Sequence, residues 1–172
     1  MNAMKRLFLV PMLLCTTFPA LAVDPVKTGA LPVAANNIVG TWATDGAVGP
    51  CGSGVTPIPI RGYLQFQAGG TVLELPRFPP DGVPNAFGVA GNNQRSYGVG
   101  TWSYNPLTHQ YTMKFHFDWF VDNVYHGYNI VERTLLLSND RKAIAGPARA
   151  TRYAANGTVL SVVCGSAVST RL

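Results

Sequence analysis

The sequence predicts an all-β protein that folds as an eight-stranded antiparallel up-and-down barrel. Charged residues make up only 12% of the chain, and turn-forming Gly, Asn, Thr and Ser are plentiful, a composition typical of β proteins. Eight segments of strand character follow one another with turn signals between them. Two cysteines lie where a closed meander brings its first and last strands together. A two-sheet β-sandwich is the alternative, because strand counts alone do not separate the two folds.

The first 22 residues have the pattern of a signal peptide. Lys5 and Arg6 precede the apolar run Leu7–Leu14, and an Ala-x-Ala motif ends at Ala22. Cleavage after Ala22 predicts a secreted or periplasmic protein, and Cys15 leaves a lipoprotein as the alternative. No later run of apolar residues reaches the length of a membrane span, so we expect no transmembrane segment.

The rest of the chain, about 150 residues, suits one domain. Residues 23–36 are rich in proline and alanine and predict a flexible leader, and residues 37–172 predict a single barrel domain. Loss of two basic residues with the signal peptide lowers the net charge from +5 to +3. The remaining basic residues are scattered rather than clustered, so we expect no nucleic-acid partner.

Two cysteines remain after the predicted cleavage, Cys51 and Cys164. An even number of cysteines in an exported chain predicts a disulfide, although two free buried thiols are the alternative. Cys51 follows the first predicted strand and Cys164 lies inside the last. Because a closed barrel makes these strands neighbours, a Cys51–Cys164 disulfide favours closure.

The first three predicted strands precede the longest loop. They span residues 37–44, 60–67 and 71–75. The first opens with Gly40 and Trp42, which place a small residue and a large apolar ring on one face of the strand. The glycine- and proline-rich stretch 45–59 predicts a loop, and residues 68–70 predict a tight hairpin turn.

Residues 76–95 predict a long loop rich in proline, glycine and asparagine. A loop of this length in a small domain is usually functional or disordered. Phe78 and Phe87 are the apolar side chains by which it could be anchored over a barrel mouth.

Five more strands complete the predicted barrel. They span residues 96–104, 110–118, 128–138, 142–154 and 158–171. The strand at 110–118 has the clearest alternation of apolar and polar residues. Residues 119–127 predict an aromatic-rich connection, and Asn156-Gly157 is the strongest hairpin signal in the chain.

Gly40, Trp42 and Arg171 together resemble the seam of the lipocalin-like (calycin) barrels. In those families a tryptophan near the start of the first strand packs against an arginine from the closing strand. The resemblance therefore implies that these three residues close the barrel, with a cation–π contact between Trp42 and Arg171.

The chain after the signal peptide is also similar to a group of bacterial secreted proteins of unassigned activity. The shared features are the glycine-tryptophan opening, Cys51-Gly52, Phe66 to Thr71, Arg95 to Trp102, and Cys164 to Arg171. This resemblance implies an exported barrel and names no ligand.

Alternation predicts which side chains face the barrel lumen. The candidate lumen residues, and therefore candidate ligand contacts, are Leu64, Phe66, Tyr111, Met113, Phe115, Phe117, Arg133 and Leu135. Arg133 shares a face with Val131 and Leu135, so it either binds an anion inside the lumen or extends to solvent from the rim. Arg149 on the next strand is expected near it.

No residue pattern predicts catalysis. The sequence has no nucleophile elbow, no Cys-His pair and no phosphate-binding loop. His116, Asp118, Asp122 and His126 are close in sequence, but their spacing matches no metal motif and fits a solvent-facing strand. We therefore expect neither a metal nor another cofactor.

Two functions remain open for a non-catalytic barrel. The first is binding of a small apolar or amphipathic molecule in the lumen, for which an eight-stranded barrel has room for one small ligand or none. The alternative is a packed barrel that binds a protein partner through the loop at 76–95.

Overall fold

The computed structural model describes residues 34–54 and 56–172, and the predicted signal peptide with most of the predicted leader lies outside them. The described chain contains ten β-strands and two short 3-10 helices. The strands are β1 (Gly40–Pro50), β2 (Ile58–Phe66), β3 (Thr71–Pro76), β4 (Val83–Pro84), β5 (Asn92–Arg95), β6 (Gly98–Asn105), β7 (Gln110–Val121), β8 (Val124–Leu137), β9 (Ala143–Ala154) and β10 (Val159–Arg171). The 3-10 helices are Ala35–Ile38 and Ala86–Gly88.

Eight of these strands form a closed antiparallel barrel. In order around the barrel they are β1, β2, β3, β6, β7, β8, β9 and β10, and β10 pairs with β1 to complete the ring. Consecutive barrel strands are neighbours throughout, which makes the topology an up-and-down meander. The predicted barrel is confirmed and the sandwich alternative is wrong, because every barrel strand has two hydrogen-bonded neighbours.

Two predicted connections are strand in the structure. β1 continues through the first part of the stretch 45–59, because it pairs with β2 on one side and with β10 on the other. β7 and β8 likewise extend through the predicted connection 119–127 to a tight turn at Asp122 and Asn123, which both have positive φ angles. Pairing on both sides outweighs the local turn signals.

The long loop between β3 and β6 is ordered by a small β insertion. β4 pairs with β5, and β5 in turn pairs with the part of β7 that extends beyond the start of β6. Asn93 of β5 is fully buried and accepts a hydrogen bond from Nε1 of Trp119. The insertion therefore extends the barrel wall at one end.

The opposite end, which we call the closed end, is filled by side chains and capped by the Ala35–Ile38 helix. The packed side chains at this end are Trp42, Phe66, Val72, Trp102, Tyr111 and Leu135, all 5% exposed or less. Ala35 and Ile38 are fully buried against them, and Oη of Tyr111 donates to the carbonyl of Ala34. The end of the predicted flexible leader, including Ala35, is therefore part of the folded core.

The seam between β1 and β10 carries the predicted tryptophan–arginine contact. Trp42 and Arg171 are opposite each other in the register, and the guanidinium lies 4.2 Å from the centre of the indole. Nε1 of Trp42 donates to the carbonyl of Ile38. Gly40 has a φ of 137°, and a Cβ there would lie 2.9 Å from Nη1 of Arg171, so glycine is required.

A disulfide joins β10 to the residue after β1. Cys51 and Cys164 are 113 residues apart in sequence, and their Cα atoms are 4.8 Å apart. The predicted pairing is confirmed, and it lies toward the end of the barrel opposite the Ala35–Ile38 helix. Within residues 34–54 and 56–172, no helix has the length and apolar character needed to span a bilayer.

Candidate functional site

The half of the barrel beyond the packed residues is hollow. A cavity of about 480 Å³ begins above Met113 and reaches the surface beside Phe87, which is 40% exposed. β7 lines one wall with aromatic rings, whereas β9, on the far side of β8, lines its part of the wall with Ala148 and Ala150. Large side chains on one part of the wall and small ones on another leave the space unfilled.

The eight predicted lumen residues all point inward and are all buried, but they occupy two regions. Those that line the cavity are Leu64, Met113, Phe115, Phe117 and Arg133. Phe66, Tyr111 and Leu135 belong to the packed layer at the closed end and do not line the cavity. Burial of Tyr111 there raises the pKa of its hydroxyl.

A buried ion pair lies near the mouth of the cavity. The guanidinium of Arg95 on β5 contacts the carboxylate of Glu74 on β3, and both side chains are 13% exposed. The same guanidinium lies 3.5 Å from the centre of the Phe117 ring. Burial raises the pKa of Glu74 and lowers that of Arg95, while their attraction opposes both shifts. Their charges compensate each other.

Arg133 lies at the floor of the cavity, opposite Met113 of β7 and Ala148 of β9. Its side chain is buried, with 7% exposed. Nη2 donates to the carbonyl of Ala167, 3.0 Å away, whereas Nε has no acceptor among the described residues. Burial without a carboxylate lowers the pKa of Arg133 to about 10. The alternative of an arginine that extends from the rim is therefore wrong.

Arg152 and Asn129 form a second polar group closer to the mouth. They are directly opposite each other on β9 and β8, and each is at most 8% exposed. The Arg152 guanidinium lies 4.6 Å from the centre of the Trp119 indole, and its Nη2 is 3.4 Å from Nδ1 of His126. Nε of Arg152 and Nδ2 of Asn129 have no acceptor in the described part of the chain. Burial lowers the pKa of Arg152.

Sequence reasoning missed Glu74, Arg95, Asn129 and Arg152. The alternation of side chains along a strand could have identified two of them. Asn129 is four residues from Arg133 on β8, and Glu74 is two residues from Val72 on β3, so each points to the same face of its strand as that buried residue. Arg149, expected near Arg133, is exposed on the outer face of β9.

The cavity can bind an anion. Its described lining contains one carboxylate, Glu74, and five arginines. Arg95 pairs with Glu74 and the exposed Arg61 pairs with Asp45, which leaves the buried Arg133 and Arg152, and the exposed Arg77, without a carboxylate partner. Buried charges are stable only when paired or hydrogen-bonded, and a guanidinium binds carboxylate through two parallel hydrogen bonds. The aromatic wall of β7 offers an apolar surface to the rest of such a molecule.

The four residues considered for a metal do not come together as a cluster. Nε2 of His116 lies 3.0 Å from Oδ1 of Asp118 on the outer face, where both side chains are about half exposed. Asp122 is in the β7–β8 turn, and its Oδ1 accepts a hydrogen bond from the backbone of Asn92. In the described ranges, no group of three or more His, Cys, Asp or Glu side chains is placed to hold a metal ion.

Comparison with known proteins gives similarity to solved structures alone. No protein-family model matches this sequence, and no curated protein matches it. The crystal structure of Rv2717c from M. tuberculosis aligns with a TM-score of 0.40 and 14% sequence identity, over 83% of this chain and 99% of that chain. None of these results assigns a family to this chain.

Proposed function

We propose that this protein is an exported, lipocalin-like barrel that binds a small amphipathic molecule in its lumen. The observation that carries the proposal is the cavity of about 480 Å³ in a domain whose other end is densely packed. This volume is within the range of small-molecule sites, which are typically concave, mostly apolar and equipped with a few polar groups.

The disulfide supports export. Disulfides persist in oxidising compartments and are rare in the cytosol, and Cys51 and Cys164 are paired across the β1–β10 seam. Together with the predicted signal peptide, this pairing favours a periplasmic or extracellular site of action.

Ligand binding accounts for the long loop better than docking of a protein partner does. Phe78 and Phe87 point toward the barrel, and their rings lie 6.1 and 5.7 Å from the Trp119 indole. The loop therefore uses its aromatic side chains to line the mouth of the cavity. We propose binding without catalysis, since the described residues of the cavity lining offer charge and apolar surface rather than a nucleophile with its base.

Uptake of a neutral apolar fluorophore, N-phenyl-1-naphthylamine, tests the proposal. We expect the wild-type barrel to bind it, and Ala150→Leu to weaken binding at least tenfold, because the added side chain projects into the cavity. Ala145→Leu is the matched control, because Ala145 is exposed on the outer face of the same strand. Absence of uptake by the wild-type protein, or equal uptake by both variants, contradicts the proposal.

A further inference from the structure

Two buried arginines in the cavity have no carboxylate partner. Arg95 is neutralised by Glu74, which is the only carboxylate among the described residues that line the cavity. Arg133 and Arg152 are each 7% exposed and form no salt bridge with any described residue. A ligand that compensates the site must therefore bring two negative charges.

These two charges lie at different depths in the barrel. Arg133 is on β8 at the floor, whereas Arg152 is opposite Asn129, four residues nearer the mouth on that strand. Four residues of antiparallel strand span about 13 Å. The wall between the two levels is apolar, because it is formed by Val131 and Ala150, which are themselves opposite each other.

We propose that the ligand is an α,ω-dicarboxylate, with a carboxylate at each end of an apolar chain. This inference rests on the proposed function. One carboxylate pairs with Arg133 at the floor. The other pairs with Arg152 and accepts a hydrogen bond from Asn129 near the mouth. The chain between them lies along Val131, Ala150 and the aromatic wall of β7.

The separation of the two charges distinguishes this ligand from other anions. A monocarboxylate compensates one arginine and leaves the second buried and unpaired. Inorganic phosphate carries sufficient charge, but it is too compact to reach both levels of the cavity. A neutral apolar molecule fills the middle of the cavity and pairs with neither arginine.

Competition against bound N-phenyl-1-naphthylamine tests the proposal with decanedioate, decanoate and inorganic phosphate. We expect decanedioate to displace the fluorophore at a concentration at least tenfold lower than decanoate, and phosphate to be ineffective. In Arg133→Met and in Arg152→Met the advantage of decanedioate disappears, because each variant can hold only one carboxylate. Arg149→Met keeps the wild-type pattern, since Arg149 is exposed on the outside of β9.

The possible failures are distinguishable. Equal potency of decanedioate and decanoate on the wild-type protein overturns the dicarboxylate ligand and leaves the proposed function standing. Displacement of the fluorophore by phosphate but by neither carboxylate also overturns the dicarboxylate ligand. Failure of the fluorophore to bind the wild-type protein refutes the proposed function itself. Retained fluorophore binding and an unchanged near-ultraviolet circular dichroism spectrum establish that each arginine variant has folded.

Discussion

The packed half and the hollow half of the barrel each contain an inward arginine, and the two differ in how many of their hydrogen bonds the fold satisfies. At the closed end, the Arg171 guanidinium lies over the Trp42 ring and donates hydrogen bonds to the carbonyls of Asn37, Val39 and Arg141. At the floor of the cavity, Arg133 donates to a single carbonyl, and its Nε has no acceptor among the described residues. One arginine is fully used by the fold, and the other is not.

Under the proposed function, this difference separates the part of the domain that stabilises the fold from the part that binds a ligand. The closed end is close-packed and its polar groups are paired, which is how a barrel gains stability. The cavity end retains empty volume and buried charge, both of which cost stability. Natural proteins commonly retain such destabilising features at functional sites.

The disulfide should be the largest single contribution at the cavity end, where packing is weakest. The double variant Cys51→Ser/Cys164→Ser releases a loop closed over 113 residues. The chain-entropy model predicts a loss of about 4–5 kcal/mol in the free energy of unfolding. Urea unfolding measures it, and an unchanged midpoint would show that packing alone holds the seam.

Replacement of one inward tryptophan at each end compares the ends directly. Trp42→Ala should lower the free energy of unfolding by about 3–5 kcal/mol, because it empties a packed layer. Trp119→Ala should cost about half as much, because that indole already borders the cavity. Chemical denaturation of both variants measures the difference, and equal losses would mean that both ends are equally packed.

Tyr111 adds a pH dependence at the closed end. Tyr111→Phe removes the hydrogen bond to Ala34 and should cost about 1 kcal/mol at neutral pH. Burial raises the pKa of the hydroxyl in the folded state, so its stabilising effect is present below the unfolded pKa. That effect is lost as the pH rises through the folded pKa. The stability gap between wild type and variant should therefore narrow at alkaline pH, and a gap that widens would contradict this assignment.

The smallest effect is expected at the mouth. Phe87→Ala should change the free energy of unfolding by less than about 1 kcal/mol, because the ring is 40% exposed. It should nevertheless weaken uptake of the fluorophore, since the ring borders the cavity. A large loss of stability would instead assign the ring to the core.

The eight barrel strands and their closure were predictable from local patterns. Alternation from Tyr111 to Phe117 identified the inward face of β7, and the pairing of Cys51 with Cys164 indicated which strands meet. Strand ends were less predictable. β1 extends to Pro50 through a glycine-rich segment because neighbours on both sides pair with it, and pairing partners are not a local property.

The candidate site was only partly predictable. The alternation along β8 placed Arg133 on the inward face, and the same alternation would have placed Asn129 there too. The cavity itself was not predictable, because it depends on which level of the barrel Ala148 and Ala150 of β9 share with the aromatic side chains of β7. Which small residues share a level with which large ones depends on the stagger of the strands, and the sequence pattern of one strand does not contain it.

The same substitution at Arg171 and at Arg133 tests whether the fold depends on one arginine and not on the other. Arg171→Met should lower the free energy of unfolding of the ligand-free protein by about 2–3 kcal/mol, because three carbonyls and the Trp42 ring lose their partner. Arg133→Met should raise it by about 1–3 kcal/mol at pH 7, because an uncompensated buried charge is replaced by an apolar chain.

Urea unfolding of both variants beside the wild-type protein measures the two changes. Opposite signs are the predicted result. A loss at Arg133→Met as large as the loss at Arg171→Met would show instead that both arginines hold the fold and that neither is kept for a ligand.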